Sequence, residues 1–173
     1  MPTSGSSYSR GRTSPDKALQ KLKHYCGYQE RSHAEVKYKL YSLGLHEKEV
    51  EQLISRLIEE EYLNEERFAI AYASGKSRNN GWGRIKIRHG LEQKGISKYC
   101  IVKALRSLDE SEYITGFQRI SDKKWLSLQS EKNIFVKKNK WQQFLLQRGF
   151  EQSIIKTWSF PEQAQPDQIQ NKP

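Results

Sequence analysis

The chain has 173 residues and a mass of 20.3 kDa, enough for one ordinary domain or a row of smaller units. Hydrophobic residues make up 35% and charged residues 29%, so the core is thin, which suits an extended helical array better than a thick sandwich. The formal net charge of +10 points to a polyanion or an acidic protein surface as partner, and no apolar run approaches the roughly 20 residues that cross a bilayer.

The N-terminus lacks the apolar h-region of a secretory signal, and a soluble, cytoplasmic protein without membrane contact is expected. Residues 1–15 carry Arg10, Arg12, several serines and no acid. A mitochondrial presequence shares that composition, but the stretch has no apolar periodicity, which favours a disordered basic tail.

Asp16 is read as the N-cap of a first helix with Ala18, Leu19, Leu22 and Tyr25 at helical spacing, ending near Gly27. Ser32, with Glu35 three residues on, has the capping-box arrangement and opens a second helix whose stripe is Val36, Leu40 and Leu43, up to Gly44. A third helix starts near His46 with Val50, Leu53, Ile54, Leu57 and Ile58 inward. The run Glu59, Glu60 and Glu61 is read as its solvated end.

The segment Leu63-Asn64 to Ala73 then begins a further helix, broken by a polar Asn79-Asn80-Gly81-Trp82-Gly83 loop before Arg84 to Leu91. Adding 51 to the first unit's numbers lays Val36 on Ile87, Leu40 on Leu91, Gly44 on Gly95, Leu45 on Ile96, Val50 on Ile101 and Ile54 on Leu105. Adding 105 carries Val36 to Trp141, Leu40 to Leu145, Gly44 to Gly149, Leu45 to Phe150, Val50 to Ile155 and Leu53 to Trp158. The shared glycine falls where one helix ends and the chain reverses, a position that favours positive φ.

The expected organisation is therefore all-α: three-helix repeats over residues 16–63, 64–108 and 109–160, with a tail at 1–15 and a frayed end at 161–173. In the third copy the first helix, around Tyr113, Ile114, Phe117, Ile120, Trp125 and Leu128, is the longest of its kind.

Positive charge is uneven. Residues 64–108 hold ten Lys or Arg against three acids, seven of the ten excess charges. On a helical wheel Arg84 and Arg88 share an edge beside the buried direction set by Ile87 and Leu91, whereas Lys86 points to the far side. Arg84 and Arg88 with Lys76 and Arg78 across the loop form the candidate binding cluster, and Lys94 lies on the same segment. Each could also be an ordinary solvated charge. Trp82 beside the cluster reads either as a stacking or interface aromatic or as packing over the helix junction. Lys137, Lys138 and Lys140 make a smaller basic edge before Trp141, itself read as core.

Cys26 and Cys100 are isolated and read as buried thiols in a reducing compartment. The histidines at 24, 33, 46 and 89 have no metal-ligand spacing, and no catalytic grouping or phosphate-binding loop is present. An enzyme, a metal site and a cofactor have no foothold in the sequence.

The stretch from Ala18 to Trp158 resembles the RecX family of bacterial regulatory proteins, most specifically in Leu63-Asn64 to Ala73 followed by Gly81, Gly83, Ile87, Leu91, Lys94, Gly95 and Ile96. Ser32, Glu35, Val36, Lys39, Leu40 and Gly44 agree as well. Asn64 stands where an aspartate is usual, Gly90 where a glutamate is, and Gln29 where an arginine is. A glycine inside an exposed helix at position 90 would cost about 1 kcal/mol.

The resemblance implies an elongated, curved array of three tandem three-helix repeats, without catalysis of its own. It implies a protein lying in the groove of the RecA recombinase filament on single-stranded DNA, and a monomer is expected. There it would modulate, mostly inhibit, strand exchange and coupled ATP hydrolysis in DNA repair, recombination and the SOS response. The alternative is a helical nucleic-acid-binding module without a recombinase partner.

Overall fold

The computed structural model describes residues 12–160, so of the expected tail at 1–15 residues 1–11 lie outside it, as does the expected frayed end at 161–173. Among the described residues there are nine α-helices and no strand. They fall into three consecutive units, each with its own apolar cluster.

In the first unit α1 (Pro15–Tyr28), α2 (His33–Ser42) and α3 (Glu47–Glu59) enclose Leu19, Leu22, Val36, Leu40, Val50 and Leu57. The N-cap of α1 is Ser14, two residues before the expected Asp16. Proline at the first helical position has φ preset and no N–H to satisfy, so the helix starts at Pro15 and Asp16 falls in the first turn, where its charge favours the dipole. The segment before it is already ordered: the Thr13 amide donates to Leu43 O at 3.1 Å, and Arg12 pairs with Glu49.

The capping box of α2 is present, and at the start of α3 the His46 amide donates to Glu49 Oε2 at 2.9 Å. Ile58, expected inward, is 45% exposed: it sits one residue past Leu57, which takes the buried direction with no solvent exposure. Glu60 is engaged by Lys23 and Arg56, which hold its carboxyl below the usual range.

The second unit comprises α4 (Glu65–Asn80), α5 (Arg84–Gln93) and α6 (Lys98–Arg106), with α4 packed along α6 and α5. Asn79 and Asn80, read as loop, belong to α4. The helix runs on to Gly81, whose φ of 60° ends it, with the Gly81 and Trp82 amides donating back to Ser77 O and Lys76 O. The third unit comprises α7 (Glu110–Ser127), α8 (Ile134–Gln147) and a single turn α9 (Gln152–Ile155).

The repeat register is carried by burial. Val36, Ile87 and Trp141 are 0%, 0% and 2% exposed, and Leu40, Leu91 and Leu145 are all 0%. Gly44, Gly95 and Gly149 all have positive φ, at 83°, 72° and 80°. The final helix shrinks to one turn because an aromatic plug replaces it: Trp158 stacks on Trp141 at 4.6 Å between centroids, and Phe160 packs on Trp125 at 4.9 Å.

Candidate functional site

The centre of the basic segment is built by four-residue spacing. Phe68, Tyr72 and Lys76 follow one another on α4, and Trp82 and Lys86 bracket the first turn of α5, so all five project to one side of the α4–α5 corner. Lys76 Nζ and Lys86 Nζ each lie 4.9 Å from the Trp82 ring centroid, and Lys76 also reaches the Tyr72 ring at 5.3 Å. Trp82 is half-buried against the second cluster. It is both junction packing and an accessible aromatic, so the two sequence readings merge. Beside it runs a groove of about 400 Å³ lined by Tyr72, Trp82, Ile85, Lys86, His89 and Gly90, among others.

Lys86 thus belongs to the Trp82 cluster instead of the far side. The wheel ignored that a lysine stem can reach back over the preceding turn. Gly90 is not a plain exposed glycine either: a Cβ there would collide with the Tyr72 hydroxyl, so its bareness is what lets Tyr72 lie across α5. Burial raises the Tyr72 phenol, helped by Glu35 and opposed by Lys94.

The other expected site residues are distributed differently. Arg84 is a structural cross-link, with Nη2 at 2.5 Å from Glu110, Nη1 at 3.4 Å from Glu151 and the guanidinium 4.1 Å from the Tyr113 ring centroid. Its partial burial acts to lower its basicity, but the Glu110 contact and both carboxylates more than compensate and the net shift is upward. Tyr113 donates to Glu151 at 2.6 Å, and burial followed by this bond pushes its phenol strongly up.

Arg78 pairs with Glu112 at 2.7 Å and Lys94 with Glu35 at 2.9 Å. In the third unit Lys140 pairs with Glu131, whereas Lys137 and Lys138 cover the Trp125 and Phe160 rings. The structure therefore does not bring Arg84, Arg88, Lys76 and Arg78 together as one free cationic cluster. Acids from the third unit, invisible to a count made segment by segment, absorb Arg78 and Arg84. Among the described residues of the middle unit, Lys76, Lys86, Arg88, Lys98 and Arg106 make no ion pair, in contrast to Arg67, Arg78, Arg84, Lys94 and Lys103.

Sequence reasoning missed Tyr72, Ile85 and His89 as groove residues. The signal was present, because Tyr72 is four residues from both Phe68 and Lys76, and His89 four from Ile85. No group of three or more His, Cys, Asp or Glu side chains among the described residues is placed to hold a metal ion. No described helix is long and apolar enough to cross a membrane.

Two family models match inside the second and third units: the second three-helix domain of RecX over residues 64–105, and the third over residues 117–158. Curated relatives include a regulatory protein RecX from Clostridium tetani, 32% identical over 113 residues (65% of this chain, 51% of the relative). One from Bacillus cytotoxicus is 27% identical over 132 residues (76% and 48%). The chain thus spans about half the length of these relatives.

A crystal structure of RecX from Lactobacillus salivarius aligns with TM-score 0.72 at 28% identity, covering 83% of this chain and 92% of that one. A second structure of a regulatory protein RecX aligns with TM-score 0.74 at 23% identity, covering 82% and 70%, and supports the fold. Matching family models in two successive units, relatives of one name and the shared three-unit architecture place this chain in the RecX family of regulatory proteins.

Proposed function

We propose that the protein binds the RecA recombinase filament on single-stranded DNA and modulates it, chiefly by depressing strand exchange and the coupled ATP hydrolysis. Family membership supports the regulatory role. The observation that carries the contact surface is the pair of lysines without acidic partners, Lys76 and Lys86, set about Trp82 beside an open groove. Such a patch offers cations for phosphate or carboxylate and a π-face for stacking. Arg88 extends it along α5, whereas Arg84 and Arg78 hold the scaffold behind it.

The test adds purified protein to RecA and single-stranded DNA and follows ATP turnover and strand exchange. The wild type slows both, and Lys76→Glu/Lys86→Glu loses at least tenfold in potency with unchanged circular dichroism. No effect of the wild type at any ratio sinks the recombinase reading.

The unpaired Arg88, Lys98 and Arg106 favour one second reading, a helical module that binds nucleic acid by itself. Its mark is appreciable affinity for bare DNA that falls steeply with salt.

A further inference from the structure

Both joints between repeats carry side-chain ion pairs, but only the second adds backbone hydrogen bonds. At the joint between the second and third repeats, α5 begins at Gly83 with no side-chain cap. Its first three amides are taken up across the joint: Gly83 N donates to Arg148 O at 2.8 Å, Arg84 N to Tyr113 Oη at 3.0 Å and Ile85 N to Gly149 O at 3.1 Å. The free N–H end of α5 thus meets the free carbonyl end of α8, satisfying both helix termini together. Arg148 Nη1 also donates to Asn80 O at 2.8 Å. No side chain fits between the two backbones of this seam: a Cβ on Gly83 would collide with the Gly149 carbonyl, and one on Gly149 with Lys86.

The equivalent positions at the joint between the first and second repeats are Ser32, which falls on Gly83, and Gly95, which falls on Gly149. There the N-terminus of α2 closes on itself, Ser32 N donating to Glu35 Oε2 at 2.9 Å and Glu35 N to Ser32 Oγ at 3.2 Å. A Cβ on Gly95 would meet nothing within 4 Å. Among the described residues no backbone–backbone hydrogen bond crosses this joint. Its polar links run through side chains: Lys94 to Glu35 at 2.9 Å, Arg67 to Glu30 at 2.7 Å and Arg67 Nη2 to Glu61 O at 2.8 Å. Glu61, whose left-handed φ of 60° belongs to the turn that closes α3, is bonded into the first repeat through Glu61 N to Ile58 O at 3.0 Å and Tyr62 N to Leu57 O at 2.9 Å, and Leu63 is buried in the same core, so the chain leaves the first repeat at Asn64, in extended conformation.

We propose that the second and third repeats form one rigid body and that the first repeat is an arm hinged at Asn64, latched shut by Lys94–Glu35 and Arg67–Glu30. Both latches are partly exposed to solvent, so salt screens them, whereas the backbone seam is buried and indifferent to salt. An anion competing for Lys94 would release the arm, which lets the array change its span without disturbing the rigid body.

Electron–electron distance measurements test this with spin labels at Gln20→Cys and Val102→Cys for the first joint, and Val102→Cys and Gln143→Cys for the second. The background carries Cys26→Ala and Cys100→Ala. Raising salt from 50 mM to 500 mM, or introducing Lys94→Gln, broadens and lengthens the first distance and leaves the second narrow and fixed. Small-angle scattering of the unmutated chain, should the cysteine-free background not fold, shows an increased maximum dimension at high salt. A first-joint distance as narrow and salt-independent as the second, both joints broadening together, or scattering that does not change with salt overturns the proposal.

Discussion

Replacing Gly83 by alanine should be among the most damaging single-methyl changes in this protein. The backbone φ of −77° at this position suits any residue, so the penalty is steric and not conformational. The added Cβ would fall well inside contact with the Gly149 carbonyl and the Phe150 amide, both backbone atoms that cannot swing away. The end of α5 must back off from α8, breaking the 2.8 Å and 3.1 Å bonds from Gly83 N and Ile85 N. Two backbone hydrogen bonds at about 1 kcal/mol each, plus an overpacking cost of about 1–3 kcal/mol, give a loss of about 3–5 kcal/mol. Gly116→Ala is the control: it lies within α7 with nothing near its Cβ, and should gain about 0.5–1 kcal/mol from helix propensity. Urea unfolding followed by circular dichroism and by tryptophan fluorescence, dominated by Trp125, Trp141 and Trp158 of the third repeat, measures both. A Gly83→Ala stability within about 1 kcal/mol of wild type would refute the seam.

Arg84→Ala removes a cross-link and should cost about 2–3 kcal/mol, since charge-assisted bonds to Glu110 and Glu151 are lost, whereas exposed Arg88→Ala should change stability by under about 0.5 kcal/mol. Gly90→Ala should destabilise despite alanine's better helix propensity, and Tyr72→Phe, which removes the colliding hydroxyl, should recover most of the loss in the double variant, a coupling read by a thermodynamic cycle. The latch at the first joint depends on pH. Burial pushes the Glu35 carboxyl up, but the Ser32 bonds and Lys94 outweigh it and hold it below the usual range. A depressed carboxylate contributes stability above its unfolded value, roughly 4.3, and loses it as pH falls through the lower folded value. Acidification below about pH 4 should therefore lengthen the first-joint distance, with Glu35→Gln already long at pH 7.

The fold was legible because it rests on short-range regularities repeated three times. A glycine in the left-handed region after the second helix of each unit, with apolar residues at fixed distances around it, leaves the same trace at Gly44, Gly95 and Gly149 whatever else varies. The cap at Ser32, with Glu35 three residues on, was readable for the same reason. The binding surface was only half legible, because the fate of a charged side chain depends on which acid another repeat brings to it. Nothing near Arg84 in sequence announces Glu110, Glu151 or Tyr113, and nothing near Gly83 announces Gly149. The wheel placed Lys86 by its Cα direction, and the length of its side chain decided otherwise.

The measurement closest to the central claim is hydrogen exchange of the protein alone and bound to the RecA filament on single-stranded DNA. Protection centred on the end of α4, Trp82 and the exposed side of α5 from Lys76 to Gln93, and lost in Lys76→Glu/Lys86→Glu, is the predicted result. Protection that leaves this segment untouched while covering only the first or third repeat would contradict it.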